Sequence, residues 1–407
     1  MLVIACPGQG SQSPGFLSPW MDLPSFRDRL EWFSVVAGID LVAHGTTSDA
    51  ATIRDTAIAQ PLIVGAGLTT LLALFPHPAE GFARVGAGVG HSVGEVTAAA
   101  ATGVISAEAA MVFVRERGSA MAAAGAVTAT GMSAVLGGDP DEVAATVERH
   151  GLAIANHNGI GQVVAAGTLD QLAALRADPP AKARVMPLQV AGAFHTEHMT
   201  PAEARLGGFA RAITRRDAHT PLIGNADGAV VSVGREVLER LVSQVSRPVR
   251  WDLCMRTLVE LGVTGFIEMP PSGTLAGLAK RGMPGVEILS LKTPDDLDAA
   301  KRMVLEHGTP PTTPSPDPTW RLVVAPGSGT ITRSAVRPGD DIATGVILAH
   351  VQMATGVHDV TAAHAGRVLE WLVADGDQVA PGQPILRLDD LFDAVRGAPE
   401  KHPSGQE

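Results

Sequence analysis

Residues 308–318 read Gly-Thr-Pro-Pro-Thr-Thr-Pro-Ser-Pro-Asp-Pro. Each proline removes a backbone donor and fixes its own φ, so neither a helix nor a central strand can run through such a stretch. The composition predicts an extended, semi-rigid linker over 308–319. The linker cuts the chain into a body over 1–307, a small unit over 320–390 and a tail over 391–407, and two or three domains suit the length of 407 residues.

Hydrophobic residues make up 45% of the chain and charged residues 18%, which suits a sizeable buried core rather than a disordered protein. A net charge of −11 argues against general nucleic-acid binding, which needs a basic face, but leaves room for a local basic patch facing an acidic partner. Two cysteines, Cys6 and Cys254, cannot build a disulfide framework and fit a reducing compartment. The opening run Met1-Leu2-Val3-Ile4-Ala5-Cys6 has the outline of a lipoprotein cleavage site, but it lacks a basic start and its apolar stretch is too short for a signal peptide. It reads as a buried first strand. No unbroken apolar run reaches the roughly 18 residues that a span needs, so no membrane is expected and the cytoplasm is the expected location.

The body reads as α/β. A strand over Leu2 to Ala5 runs into the turn Pro7-Gly8-Gln9-Gly10, and a buried strand near Phe82 to Val89 runs into Gly90-His91-Ser92. A helix follows to about Thr102, and another opens after Ser106, a good N-cap with Glu108 in its first turn. Between about 127 and 190 the pattern changes to strand, helix, strand, strand, helix, strand. That order is ferredoxin-like and predicts a subdomain inserted into a hydrolase-like body. In the C-terminal unit, Gly329, Gly339, Asp340, Ala343 and Gly345 recur 37 residues later as Gly366, Gly376, Asp377, Ala380 and Gly382. Two such halves, neither able to bury its apolar face alone, predict a small β-sandwich with quasi-two-fold symmetry.

Gly90-His91-Ser92-Val93-Gly94 matches Gly-x-Ser-x-Gly, in which glycines allow a sharp strand-to-helix turn and leave the serine Oγ exposed. At a helix N-terminus, free N–H groups favour developing negative charge. A plain serine N-cap fits the same residues. The spacing Gly86-x-Gly88-x-Gly90 is wrong for a dinucleotide loop. A serine nucleophile needs a base. His195, His198 and His91 compete for that role, and spacing alone does not rank them. His195 and His198, about a turn apart, also suggest a metal pair, but no third ligand stands at a familiar zinc spacing, so no metal is expected. Arg115 and Arg117 lie two positions apart in an apolar helix, hence on different faces. A semi-buried guanidinium needs an anionic partner. This one would grip a substrate carboxylate or close a structural ion pair.

Taken together, these segments resemble the malonyl-CoA:acyl carrier protein transacylases over about residues 1–300. Pro7-Gly8-Gln9-Gly10-Ser11-Gln12 resembles the family's N-terminal motif, Gly90 to Glu95 its nucleophile motif, and Arg115-Glu116-Arg117-Gly118 with Met121 its arginine motif. Phe194-His195-Thr196 with Met199 resembles the histidine motif, and Pro248-Val249-Arg250-Trp251 a later segment packed behind it. The resemblance implies Ser92 as nucleophile, His195 as base, the backbone N–H groups of Gln9 and Val93 as oxyanion donors, and Arg117 as the grip on the malonyl carboxylate. No cofactor is implied. A backbone carbonyl rather than an acid would orient the histidine. The partners would be malonyl-CoA and acyl carrier protein, with Arg215, Arg216, Lys280 and Arg281 as candidate docking cations.

Two departures stand out. Arg250 occupies a place where many members have Gln, and a cation there would depress the pKa of His195. Phe194 before His195 is the form common in related acyltransferase domains, which leaves methylmalonyl-CoA open as a substrate. A serine esterase or thioesterase fits the elbow alone, but Arg117 and the missing HGGG-type run oppose it. The C-terminal unit resembles a biotinyl/lipoyl domain, whose modified lysine sits at the hairpin between the halves. That hairpin here is about Val351 to His358, and no lysine occurs between Lys301 and Lys401. The resemblance therefore implies an unmodified relative, a docking or assembly module.

Overall fold

The computed structural model describes residues 1–309, apart from 24, 77–80, 160 and 191, together with residues 320–389. Most of the expected linker and the whole tail lie outside the described residues. The chain divides into two compact units, Met1–Pro310 and Pro311–Glu407.

Among its described residues the first unit holds ten strands: β1 (Leu2–Cys6), β2 (Ala87–Gly90), β3 (Thr130–Gly137), β4 (Ala153–Gly159), β5 (Gln162–Thr168), β6 (Ala183–Pro187), β7 (Leu222–Ile223), β8 (Val230–Val231), β9 (Gly265–Glu268) and β10 (Glu287–Ser290). Six of them form the body sheet in the order β10-β9-β1-β2-β7-β8, parallel except for β8. β1 is central and buried at every position, which is why its sequence is continuously apolar rather than alternating. Its pairing with β2 sets Cys6 beside Gly90, so the turns that carry Gln9 and Ser92 leave the same edge of the sheet.

The helix Ala107–Gly125 is capped by Ser106, whose side chain accepts the Ala109 N–H. It packs against the helix Thr56–Leu74, which Asp55 caps. This second helix belongs to the core. By length and composition it could cross a membrane, with mean hydropathy 1.8, but 78% of it is buried inside the unit. A helix apolar on all sides is a core helix when neighbours surround it. Thr56, Gln60, Pro61, Thr69 and Thr70 interrupt its apolar run in the sequence.

β3 to β6 form the inserted subdomain, with antiparallel order β4-β5-β3-β6, the ferredoxin-like arrangement. Its helices are set by local signals. Asp139 caps Pro140–Arg149, and a Thr168–Gln171 capping box opens Leu169–Ala177. The subdomain is pinned to the body at β4, where the His157 N–H donates to the Val249 carbonyl and the Val249 N–H to the Ala155 carbonyl, at 2.8 and 2.9 Å.

The second unit contains β11 (Trp320–Val324), β12 (Gly329–Arg333), β13 (Asp341–Ile342), β14 (Ile347–Met353), β15 (Gly356–Thr361), β16 (Gly366–Trp371), β17 (Gln378–Val379) and β18 (Pro384–Asp389). They form two four-stranded sheets, β11-β18-β16-β13 and β15-β14-β12-β17. Shifting by the sequence repeat exchanges the two sheets strand for strand, so the internal repeat is a quasi-two-fold sandwich. Gly339 and Gly376 hold equivalent turns at φ 97° and 87°, as do Gly345 and Gly382 at 88° and 74°.

Candidate active site

Ser92 sits between β2 and the helix Gly94–Ala101, with φ 53°. The pattern's two glycines are required by close approach. A Cβ on Gly90 would lie 2.1 Å from the Gly94 carbonyl carbon, and one on Gly94 would lie 2.0 Å from the Cys6 carbonyl oxygen. Backbone cannot yield as a side chain end can, so only glycine fits at either position.

His195 approaches from the loop after the subdomain, also at positive φ (62°), and its own N–H donates to the Val245 carbonyl. Its Nδ1 lies 2.7 Å from the Gln244 carbonyl oxygen and its Nε2 2.7 Å from Ser92 Oγ. The carbonyl can only accept, so Nδ1 carries the proton, and the neutral ring offers its Nε2 lone pair to the serine hydroxyl. Burial, reinforced by the Arg117 cation, pushes the imidazole pKa down to about 3, so the ring stays neutral at ordinary pH. Among the histidines left open by spacing, His91 turns away: its Nε2 lies 3.0 Å from Asn158 Oδ1 and its ring packs on Trp251. His198 lies in the short turn Glu197–Met199, and both ring nitrogens of His195 are already engaged.

The two arginines part as their spacing requires. Arg115 is partly exposed and pairs with Glu116 at 2.9 Å. Arg117 is fully buried. Its Nη1 donates to Gln60 Oε1 and its Nη2 to Gln244 Oε1, both at 2.7 Å, and Nη2 also reaches Ser92 Oγ at 3.3 Å. Each of these acceptors is neutral, and Arg117 Nε has no partner among the described residues. Glu95 is the anion that acts on Arg117, but it touches Gln244 rather than the guanidinium. Burial lowers the Arg117 pKa to about 10, which leaves it charged, and raises that of Glu95 to about 7.

Neither the Gln9 nor the Val93 amide N–H meets an acceptor among the described residues. The Gln9 side chain donates to Thr56 Oγ1 at 3.2 Å, which fixes its turn against the helix Thr56–Leu74. Gln9, Ser92 and His195 line a cavity of about 550 Å³, walled by Met121 and Phe194 from the body and Met132 from the subdomain. A larger cavity of about 980 Å³ is lined by Phe113, Phe209 and Ile213; its Ser106 caps the helix Ala107–Gly125, and among the described residues Ser106 and His219 share no hydrogen bond. Arg216 lines that second cavity, whereas the helix carrying Lys280 and Arg281 lends Leu275 and Leu278 to the first.

Arg250 behaves differently from the sequence expectation. It pairs with Asp252 at 2.7 Å, and its charge bears on His157 rather than on His195. The carbonyl that orients His195 comes from Gln244. Gln244, Gln60, Glu95 and Asn225 are the site residues that sequence reasoning left without a role. Glu95 stood at the end of the nucleophile motif, and a buried Gln in an apolar segment, as at 60 and 244, was the available signal.

The C-terminal hairpin between β14 and β15 stands where a biotinyl or lipoyl group would be attached. Its tip carries Thr355, bonded to His358 Nε2 at 3.0 Å, and lysine is absent throughout 302–400. Amide attachment needs an amine, so these residues do not fit such a group.

Comparison with known proteins places both parts. The acyl transferase domain family matches residues 3–293, and the family described as biotin-requiring enzyme matches 322–388. The chain is 49% identical over 306 residues to the malonyl CoA-acyl carrier protein transacylase of Mycobacterium tuberculosis, covering 73% of this chain and 98% of that one. The crystal structure of MCAT from Mycobacterium tuberculosis superposes with a TM-score of 0.71 at 47% identity, covering 74% of this chain and 99% of that chain. A malonyl-transacylase solved in complex with its type II PKS acyl-carrier protein gives a TM-score of 0.68 at 26% identity, covering 74% and 99%. On this evidence of sequence and fold together, the chain belongs to the malonyl CoA-acyl carrier protein transacylase family, with a biotinyl/lipoyl-type domain added at its C-terminal end.

Proposed function

We propose that the protein transfers a malonyl group from malonyl-CoA to the phosphopantetheine thiol of acyl carrier protein, through an ester on Ser92. The observation that carries this reading is a buried guanidinium, held among the described residues by neutral oxygens, 3.3 Å from a serine hydroxyl that also meets a neutral imidazole. A charge kept in place but not neutralised by direct contact suits an acyl group that brings its own carboxylate.

Ser92 Oγ attacks the thioester carbonyl while His195 Nε2 takes its proton. The Gln9 and Val93 N–H groups receive the oxyanion. Collapse expels the CoA thiolate, which takes the proton from His195, and leaves malonyl-Ser92 with its carboxylate on Arg117. The carrier thiol then gives its proton to His195 and attacks the ester, and Ser92 Oγ leaves by taking that proton back from His195. This chemistry serves fatty-acid biosynthesis, and the cytoplasm is its proposed place.

The same reading assigns 1–307 to the acyltransferase domain, with its subdomain at about 127–190, and 320–390 to the added β domain. A break between compact units after Pro310 supports that division.

Mass spectrometry of the protein incubated with malonyl-CoA tests the reading. A malonyl adduct on Ser92 is expected, which passes to carrier protein when the latter is added. No adduct on folded protein would refute it. Loss of the adduct to water, without acceleration by carrier protein, would instead make the protein a thioesterase.

A further inference from the structure

We propose that Asn225 is a positioning residue for the reaction, whose side-chain amide holds Ser92 in the left-handed turn that aims its hydroxyl at His195. The inference rests on Ser92 being the nucleophile.

Serine rarely adopts positive φ, and such a conformation persists only where the surroundings hold it. The flanking glycines permit the turn but do not fasten it. Asn225 fastens it at both ends. Its Oδ1 accepts the Ser92 N–H at 2.8 Å, and its Nδ2 donates to the Gly90 carbonyl at 2.6 Å. One planar amide thus bridges the last residue of β2 and the residue at the bend.

The amide works in only one orientation. Gln244 Nε2 donates to Asn225 Oδ1 at 3.2 Å. A flipped Asn225 would put an NH₂ against two N–H donors and an oxygen against the Gly90 carbonyl. The backbone of Asn225 is fixed as well. Its N–H donates to Glu95 Oε1 at 3.1 Å, and its carbonyl accepts the Arg250 N–H at 2.8 Å. Asn225 is buried and follows β7, the strand beside β2, so it reaches the turn from the neighbouring crest of the sheet.

The bridge also selects an oxyanion donor. With the Ser92 N–H taken by Asn225, the next free N–H along the turn is that of Val93. Asn225 touches neither the acyl carboxylate site nor Arg117. It reaches Arg117 through Gln244, whereas it bonds the Ser92 turn directly, so its main effect belongs to the rate of acylation rather than to the choice of acyl group.

The test uses the full chain and the variants Asn225→Ala and Asn225→Asp. Rapid-quench mass spectrometry counts acylation-competent sites from the burst of acyl-Ser92 and gives the acylation rate per competent site. An about 10- to 100-fold slower rate is expected for both variants, with KM for malonyl-CoA little changed and the same loss with acetyl-CoA as donor. Wild-type rates per competent site, even with fewer competent sites, would overturn the proposal, as would a loss confined to malonyl-CoA. Should neither variant fold, hydrogen exchange of the Ser92 amide in the wild-type protein decides: protection is expected, and exchange at the free-amide rate overturns it. Failure of wild-type protein to form any acyl-Ser92 would instead sink the functional reading.

Discussion

Ser92 Oγ and His195 Nε2 lie 2.7 Å apart, and each residue reaches that contact from a left-handed backbone position, φ 53° and φ 62°. Neither residue is glycine, so the fold holds two disfavoured turns at the two ends of one hydrogen bond. Such placement is costly to maintain and has a plain chemical use.

If His195 is the base, His195→Ala should slow formation of acyl-Ser92 by about 10²- to 10⁴-fold, the usual worth of a positioned general base. Ser92→Ala should give no adduct at all. Stopped-flow acylation with malonyl-CoA measures the first and intact-mass spectrometry the second. A loss under about tenfold for His195→Ala would remove the residue from this role.

Arg117 separates grip from charge. Arg117→Lys keeps a cation but cannot span Gln60 and Gln244, whose oxygens each lie 2.7 Å from a different guanidinium nitrogen. The kcat/KM for malonyl-CoA should fall at least about tenfold, the scale of one lost charge-assisted hydrogen bond, while that for acetyl-CoA changes less. Arg117→Ala should erase most of the preference between the two donors. Equal losses for both donors would make Arg117 structural.

Acid should weaken the fold through His195. Its folded pKa is about 3 against an ordinary 6.5, so between those values the unfolded chain binds a proton that the folded one does not. The resulting stability is complete above pH 6.5 and fades as pH falls toward 3. Glu95 acts in the opposite sense: its folded pKa of about 7 lies above 4.5, so its contribution falls as pH rises between them. His195→Gln removes only the first effect. Urea midpoints for wild-type and His195→Gln protein should therefore differ by a margin that shifts against the wild type on acidification from pH 7.5 to pH 4.5. A constant margin would show an imidazole with an ordinary pKa.

Gly94→Ala should be worse than a surface glycine replacement. The new Cβ would sit 2.0 Å from the Cys6 carbonyl oxygen, forcing β1 and the serine helix apart. A loss of about 3 kcal/mol or more in urea unfolding is expected, together with loss of Ser92 acylation. A fully active, equally stable variant would contradict this packing.

Removal of residues 308–407 should leave transfer to carrier protein unchanged in steady-state assays, because every residue placed around Ser92 lies in the first unit. A large fall in turnover would give the β domain a part in catalysis or carrier delivery.

What the sequence made legible follows from where its signals are local. The Gly-x-Ser-x-Gly turn, the Ser106 cap and the 37-residue repeat are patterns of neighbouring or evenly spaced residues, and each has a counterpart in the structure. Ser92, Arg117 and His195 came from separate segments, and the fold brings their side chains together. Gln244 was missed because its main-chain carbonyl faces His195, and any residue type can supply a carbonyl. Arg250 was assigned an influence on His195 that its pairing with Asp252 removes, a contact of two side chains that spacing does not announce. Asn225 escaped because its partners, Gly90 and Ser92, lie more than a hundred residues away.

Gln244 holds the imidazole by its main chain and the guanidinium by its side chain. Reactivity and acyl choice consequently share one fastener. A change at 244 aimed at a new acyl group would disturb the timing of proton transfer as well. Redesign toward bulkier acyl groups has more freedom along the cavity wall at Met132 than at Met121, whose sulfur accepts from the Gln60 amide that holds Arg117.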